Sequence, residues 1–306
     1  MKAVVFAYQE IGYVCLNELI DFGAQVSCLF THEDDPREEI WFKRPVTIAE
    51  QRGIPVYTPN TLKDEKWVEL IRKAAPDFIF SFYYRNMIPK TILDIARVAA
   101  LNLHGSLLPR FRGRAPVNWV LVEGEKETGV TLHEMVEKPD AGCIVAQKKV
   151  EITLEDDVYT LYMKMTEKAR RLMKETLPAL ADGSFIRTPQ AGPSSYYGGR
   201  KPEDGLVFWT KDALSLYNLT RAVTHPYPGA FTYLRGKKLY IWKSRAKEES
   251  FGATPGKVIS SRPLKVSAGK GTLELIRVQW EGEQEMDGES FASLNNIENE
   301  ILGGGI

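Results

Sequence analysis

The sequence AALNLHGSLLPRFRGRAP, residues 99–116, joins a short apolar run to a loop that is rich in glycine, proline and arginine. The apolar run Ala99–His104 is typical of a buried strand in a parallel sheet. Asn102 and His104 are two residues apart, so on a strand their side chains point to the same face. Ligands of open parallel sheets bind beyond the carboxyl ends of the strands, which is where the following loop begins. The stretch therefore predicts a parallel sheet and the position of its functional site.

The residues before this strand alternate between strand and helix patterns. Predicted strands are Lys2–Ala7, Gln25–Phe30, 55–57 and 77–82, and predicted helices are 11–22, 47–52, Glu65–Ala74 and 91–96. Strands that alternate with helices form right-handed crossover units. The predicted fold class is thus α/β, with a Rossmann-like, doubly wound parallel sheet.

The pattern changes after residue 128. Two strand-like segments, 129–135 and 143–152, flank a polar turn at Asp140, and a long amphipathic helix is predicted over 157–180. A helix at Ala213–Val223 and five short alternating segments follow, which favour a small OB-like β-barrel. We expect a catalytic domain over residues 1–190, a linker rich in Gly, Pro and Ser over 191–204, and the OB-like domain over 205–306.

Composition narrows the function classes. The 306 residues carry 40 basic and 40 acidic side chains, so the zero net charge gives no global attraction to nucleic acid or anionic membrane. No run of about 18 apolar residues indicates a membrane span, and the start has no signal-peptide pattern. The three cysteines, Cys15, Cys28 and Cys143, show no metal-binding or disulfide spacing. These features predict a cytoplasmic protein with no metal.

Asn102, His104 and Asp140 are the candidates for chemistry. An imidazole can exchange a proton near neutral pH, and an amide N–H can stabilise a developing oxyanion. A carboxylate beside the histidine would raise the pKa of the imidazole and orient the ring. In proteins generally, such an Asn–His pair is more often a hydrogen-bonded structural pair, and a turn such as the one at Asp140 is usually only a turn. From the residues alone, the chain reads as an α/β enzyme with a site after its fifth strand.

Longer segments of the sequence indicate a specific class of α/β enzyme. LNLHGSLLPRFRGRAPVNW, ETGVTLHEMVEKPDAGCIVAQ, RAVTHPYPGAF and PGKVIS together resemble the 10-formyltetrahydrofolate-dependent formyltransferase family, over about residues 1–290. The resemblance implies that Asn102 stabilises the oxyanion, that His104 is the acid and base, and that Asp140 tunes the histidine.

The resemblance also implies a folate site. The formyl donor and co-substrate would be 10-formyltetrahydrofolate, without a metal. Its pterin ring would lie against the loop after the fourth strand and against the stretch before the aspartate. The residues implied are Asn86, Met87 and Ile88 in the loop, and Val136, Glu137, Lys138 and Pro139 in the stretch.

The branch of the family that acts on UDP-4-amino-4-deoxy-L-arabinose, in lipid A modification and polymyxin resistance, is the most similar one. MKAVVFAYQEIG, FSFYYRNMI and HEMVEKPDAG carry this likeness. The acidic loop THEDDPREEIWFKRP, residues 31–45, disfavours a tRNA acceptor, which demands basic surface. We therefore expect an amino-sugar nucleotide and a folate as partners, and neither nucleic acid nor membrane. Methionyl-tRNA formyltransferase and an enzyme for another dTDP- or GDP-amino sugar are the alternatives.

Arg114, Tyr196 and Arg200 are the candidates for binding the sugar nucleotide. An arginine can meet a phosphate, and a tyrosine can stack on a base, but a structural ion pair and an exposed linker fit equally well. His32, His133 and His225 are expected to be structural. The arabinose enzymes commonly carry a second, NAD-dependent decarboxylase domain. This chain would be a stand-alone enzyme or an excised domain, and either a fused partner domain or a homo-oligomer is left open.

Overall fold

A computed structural model describes residues 1–34, 36 and 40–303 of the chain. The acidic loop at 31–45 and the end of the chain therefore lie partly outside the described residues. The chain divides into two compact units, each made of three segments. The first comprises Met1–Pro116, Glu127–Glu151 and Tyr162–Tyr197, and the second comprises Val117–Lys126, Ile152–Leu161 and Gly198–Ile306.

Up to residue 197 the chain forms nine strands and six helices over the described residues. The strands are β1 (Lys2–Ala7), β2 (Gln25–Phe30), β3 (Val56–Tyr57), β4 (Phe78–Phe82), β5 (Ala99–His104), β6 (Arg112–Gly113), β7 (Glu127–Glu134), β8 (Ile144–Glu151) and β9 (Tyr196–Tyr197). The helices are α1 (Gln9–Asp21), α2 (Pro45–Gln51), α3 (Glu65–Ala74), α4 (Lys90–Leu93), α5 (Pro116–Val122) and α6 (Val158–Asp182).

The sheet of the first unit has the strand order β3-β2-β1-β4-β5-β7-β8. The first five strands are parallel, which confirms the predicted doubly wound core. β7 pairs antiparallel with β5, and β8 pairs antiparallel with β7. The strand order reverses between β1 and β4, which is the switch point at which open α/β sheets bind ligands.

The apolar runs that predicted the central strands form the core of this sheet. Every residue of β4 is buried, and β1 is buried from its second residue onward. Phe6 stacks on Phe30 with ring centroids 4.7 Å apart, and helix α3 adds Val68 and Ile71 to the same cluster. Burial on both faces explains why these strands read as continuous apolar runs rather than as alternating ones.

The second unit contains an antiparallel sheet. Its elements are a 3₁₀ turn (Pro202–Gly205), α7 (Ala213–Val223), β10 (Ala230–Leu234), β11 (Lys237–Lys247), β12 (Val258–Ser261), β13 (Leu264–Ser267), β14 (Thr272–Trp280), β15 (Met286–Asp287) and α8 (Gly288–Asn295). The strand order is β10-β11-β14-β13-β12, with β15 beside β14. The expected β domain is confirmed. Its description as an OB-like barrel and the boundaries at residues 190 and 204 stay predictions.

Candidate active site

Strands β5 and β7 bring the predicted Asn–His pair next to a second histidine. Their antiparallel register sets Asn102 opposite His133 and His104 opposite Thr131. The Asn102 Nδ2 atom lies 3.1 Å from the His133 Nε2 atom. Asn102 and His104 lie at the carboxyl end of β5. This is the edge of a parallel sheet at which ligands bind, and it is where the sequence predicts the site.

Asp140 joins the same group from the turn between β7 and β8. Its Oδ1 atom lies 3.6 Å from His104 Nδ1 and 3.5 Å from His133 Nε2. Its Oδ2 atom accepts a hydrogen bond from the backbone N–H of Gly113 at 2.8 Å. The structure thus brings the three predicted catalytic residues into one cluster and adds His133 to it. We call Asn102, His104, His133 and Asp140 the Asp140 cluster.

His104 has a defined orientation within the Asp140 cluster. Its Nε2 atom lies 2.7 Å from the carbonyl oxygen of Phe111 and must donate there, because a carbonyl can only accept. The neutral ring therefore carries its lone pair on Nδ1, on the side of Asp140. Burial lowers the pKa of His104, while Asp140 and the Phe111 carbonyl oppose that shift. His104 is accordingly neutral at neutral pH.

Asp140 remains ionised beside it. Burial by itself would raise the pKa of this carboxyl, but His104 and His133 in their protonated forms, together with the Gly113 N–H, outweigh burial and lower the pKa to about 2. A buried carboxylate with these partners can stabilise an imidazolium that forms when His104 takes up a proton.

Residues 188–197, which we call the strap, hold the loop that carries Phe111 and Gly113. β9 in the strap pairs in parallel with β6. The Ser195 Oγ atom accepts from the Phe111 N–H at 2.8 Å. Gly113 has φ +96°, and a Cβ there would lie 2.2 Å from the Tyr197 carbonyl oxygen, so only glycine fits at this position.

Gln190 of the strap fixes the Asp140 turn itself. Its Nε2 atom donates to the carbonyl oxygens of Asp140 and Gly142, both at 2.8 Å. Its Oε1 atom accepts from Arg112 Nη2 at 2.6 Å. Asp140 has φ +54°, a left-handed conformation that needs such support. The Gly-, Pro- and Ser-rich composition of residues 188–205 concealed this contact, because its partners are about 50 and 78 residues away.

The predicted folate residues divide into two groups. Asn86 and Met87 line an open depression of about 370 Å³ together with residues 60–63 and Pro89, and Ile88 is buried. Val136, Glu137 and Lys138 are exposed and Pro139 is half-buried, and none of them lines that depression.

β4 ends beside β5 with Phe82 opposite Leu103, so the loop with Asn86 starts at the same sheet edge as the Asp140 cluster.

His32, expected to be structural, supports this loop. Its Nε2 atom accepts from the Arg85 N–H at 3.0 Å, and its ring stacks on Tyr84 at 4.2 Å. Burial, helped by the positive charge of Arg85, lowers the pKa of His32 to about 4. His32 therefore stays a neutral acceptor over the physiological range.

The three predicted sugar-nucleotide residues are not assembled into one group. Arg114 is exposed in the first unit, where its N–H donates to the Tyr197 carbonyl at 2.9 Å. Tyr196 is 61% exposed. Arg200 belongs to the second unit, where its guanidinium lies 4.6 Å from the Trp119 ring centroid. Their roles stay predictions.

Residues 1–34, 36 and 40–303 contain no group of three or more His, Cys, Asp or Glu side chains that could hold a metal ion. Over the same residues, no helix is both long and apolar enough to cross a membrane.

Comparison with known families matches residues 3–177 to formyl transferase and residues 200–296 to the formyl transferase C-terminal domain. The chain belongs to the formyl transferase family. This membership confirms the resemblance at the level of the family.

Solved structures share the fold at low sequence identity. An N-formyltransferase from Helicobacter canadensis, in complex with folinic acid and dTDP-3-aminofucose, is 18% identical with a TM-score of 0.66, over 94% of this chain and 100% of its own. A sugar N-formyltransferase from Shewanella is 20% identical with a TM-score of 0.61, over 79% and 96%. HypX from Aquifex aeolicus, in complex with tetrahydrofolic acid, is 19% identical with a TM-score of 0.64 over 98% of this chain. This formyl transferase chain spans only 48% of HypX.

Proposed function

We propose that this chain transfers a formyl group from 10-formyltetrahydrofolate to the amine of an amino-sugar nucleotide. The observation that carries the proposal is the Asp140 cluster, which combines an amide donor, a neutral imidazole and an ionised carboxylate in a member of the formyl transferase family. These are the groups that acyl transfer to an amine requires.

We propose the following roles for the residues of the cluster. The acceptor amine attacks the formyl carbon, a C–N bond forms, and negative charge develops on the formyl oxygen. Asn102 donates an N–H to that oxygen. His104 takes the amine proton at Nδ1, where Asp140 stabilises the resulting imidazolium. The proton then passes to the folate nitrogen as the original C–N bond breaks.

For the acceptor, we propose UDP-4-amino-4-deoxy-L-arabinose. The segments MKAVVFAYQEIG, FSFYYRNMI and HEMVEKPDAG support it through their resemblance to that branch. The Helicobacter canadensis structure with dTDP-3-aminofucose supports an amino-sugar nucleotide in general. That structure also makes a dTDP-amino sugar the second candidate.

Separate incubations test the proposal. The purified chain is mixed with 10-formyltetrahydrofolate and with the UDP sugar, a dTDP-4-amino sugar or charged initiator tRNA, and tetrahydrofolate release and product mass are followed. We expect formylation with the UDP sugar. Formylation of the tRNA alone, or donor breakdown without an acceptor, would contradict the proposed acceptor.

A further inference from the structure

Asn102 can face the substrate in two ways that differ in chemistry and hardly in shape. One end of a carboxamide is an oxygen that accepts hydrogen bonds, and the other is an NH₂ group with two donors. Only the NH₂ end can stabilise negative charge on the formyl oxygen. The proposed formyl transfer therefore requires a neighbouring group that fixes which end of the Asn102 amide faces the substrate.

The hydrogen bonds of His133 can fix this orientation. Its Nδ1 atom lies 2.8 Å from the carbonyl oxygen of Glu134 and must donate there. In the neutral ring, Nε2 is then an acceptor, and it lies 3.1 Å from Asn102 Nδ2. A flipped Asn102 would direct its carbonyl oxygen at the Nε2 lone pair, so two acceptors would oppose each other.

We propose that His133 is a positioning residue that holds the Asn102 amide with its NH₂ end inward. One N–H of that group donates to His133, which leaves the second N–H for the formyl oxygen. This inference rests on the proposed function for the role of Asn102.

The groups around His133 define the state that competes with this arrangement. Asp140 Oδ1 lies 3.5 Å from Nε2, and the His104 ring lies 6.4 Å away, edge to face. A proton on Nε2 would be directed at Asp140 and would abolish the acceptor for Asn102. The tautomer and charge of His133 therefore distinguish the proposed arrangement from its alternative.

The first arm of the test is ¹⁵N NMR of the histidine rings, which does not depend on activity. The chain has four histidines, so loss of one signal set in His133→Gln assigns the ring. We expect neutral His133 at pH 7.5, with Nδ1 protonated and Nε2 unprotonated. A protonated Nε2, in either the neutral or the charged ring, would overturn the proposal.

The second arm is kinetic and uses His133→Leu, which has no acceptor, and His133→Gln, whose side-chain oxygen can replace Nε2. We expect kcat to fall by about 10- to 100-fold in His133→Leu with KM for both substrates changed less than about 2-fold, and partial recovery in His133→Gln. In an Asn102→Ala background, His133→Leu should cost less than about 2-fold more, because the two residues act as a unit. A full additional loss in that background would overturn the proposal.

The two arms separate the failure of this inference from failure of the proposed function. If the wild-type chain formylates no amino-sugar nucleotide, the proposed function is wrong, and the tautomer of His133 still decides whether it orients Asn102. If His133→Leu and His133→Gln lose the same amount of activity, and both also lose thermal stability, the role of His133 is purely structural. That result would also contradict the inference.

Discussion

The Asp140 cluster and the loops predicted to hold the substrates differ in how far their side chains are exposed to solvent. The side chains of His133 and His104 are only 1% and 7% exposed, and Asp140 is 13% exposed. In contrast, Met87 is 64% exposed and Tyr196 is 61% exposed. His104, His133 and Asp140 are thus largely buried, whereas Met87 and Tyr196, two of the residues proposed to bind the substrates, face solvent.

This difference explains how the cluster could work. Fixed donors in a buried site stabilise developing charge without reorganising during the reaction. An exposed side chain gains its contacts only when a ligand covers it. Substitutions inside the cluster should therefore change kcat, and substitutions in the outer loops should change KM.

The largest effect is expected for Asn102→Ala and His104→Ala. Each removes a group that we propose to act on the transition state, so kcat should fall by about 10²- to 10⁴-fold. Steady-state kinetics measure kcat, and a thermal melt checks that each variant keeps its fold. A loss confined to KM, or turnover retained in both variants, would contradict the assigned roles.

Asp140→Asn is expected to reduce kcat by about 10- to 100-fold and to move the pH profile. The carboxylate raises the pKa of His104 against burial, so its loss lowers that pKa further. The acid limb of kcat/KM, where His104 becomes protonated, should then shift to lower pH. An unchanged limb would argue against coupling between Asp140 and His104.

A smaller effect is expected in the strap for Gln190→Leu. The substitution leaves the carbonyls of Asp140 and Gly142 without their side-chain donor, at a cost of about 1–3 kcal/mol in the free energy of unfolding. Because the Asp140 turn loosens, kcat should fall by about 10-fold. Chemical denaturation and kinetics check both values. Ser194→Ala, on an exposed strap residue, is the matched control.

The smallest effect is expected for Met87→Ala in the outer loop. We expect the KM for the folate to rise about 3-fold with kcat unchanged, because the proposed role of this side chain is confined to binding. Ile186→Ala, on a residue 75% exposed in the same unit, should change neither constant. A fall in kcat for Met87→Ala would erase the proposed difference between inner cluster and outer loop.

Local patterns were sufficient to predict the parallel core of the first unit. β1, β2, β5 and α3 have the bounds that apolar runs and helical spacing predict, because burial on both faces gives parallel strands a continuous apolar pattern. The two antiparallel strands of this sheet, β7 and β8, were recognised as strands, but their direction depends on the pairing of β7 with β5 and of β8 with β7, which no local pattern records.

The candidate site was predictable where a motif lies on one strand and not where distant segments meet. Asn102 and His104 share a face of β5, so their proximity follows from spacing alone. His133 and Gln190 reach the cluster through a cross-strand register and a long-range contact. An isolated histidine and a glutamine in a Gly- and Pro-rich segment carry no local signal of such a role.

A labelled-donor competition tests the central claim most directly. The chain receives 10-formyltetrahydrofolate with ¹³C in the formyl group, in one tube with the UDP-amino sugar, a dTDP-amino sugar, charged initiator tRNA and water. His104→Ala is run in parallel. We expect the label in the amide of an amino-sugar nucleotide, the UDP sugar above all, and almost none with His104→Ala. Label in formate or in the tRNA, or equal transfer by His104→Ala, would contradict the account.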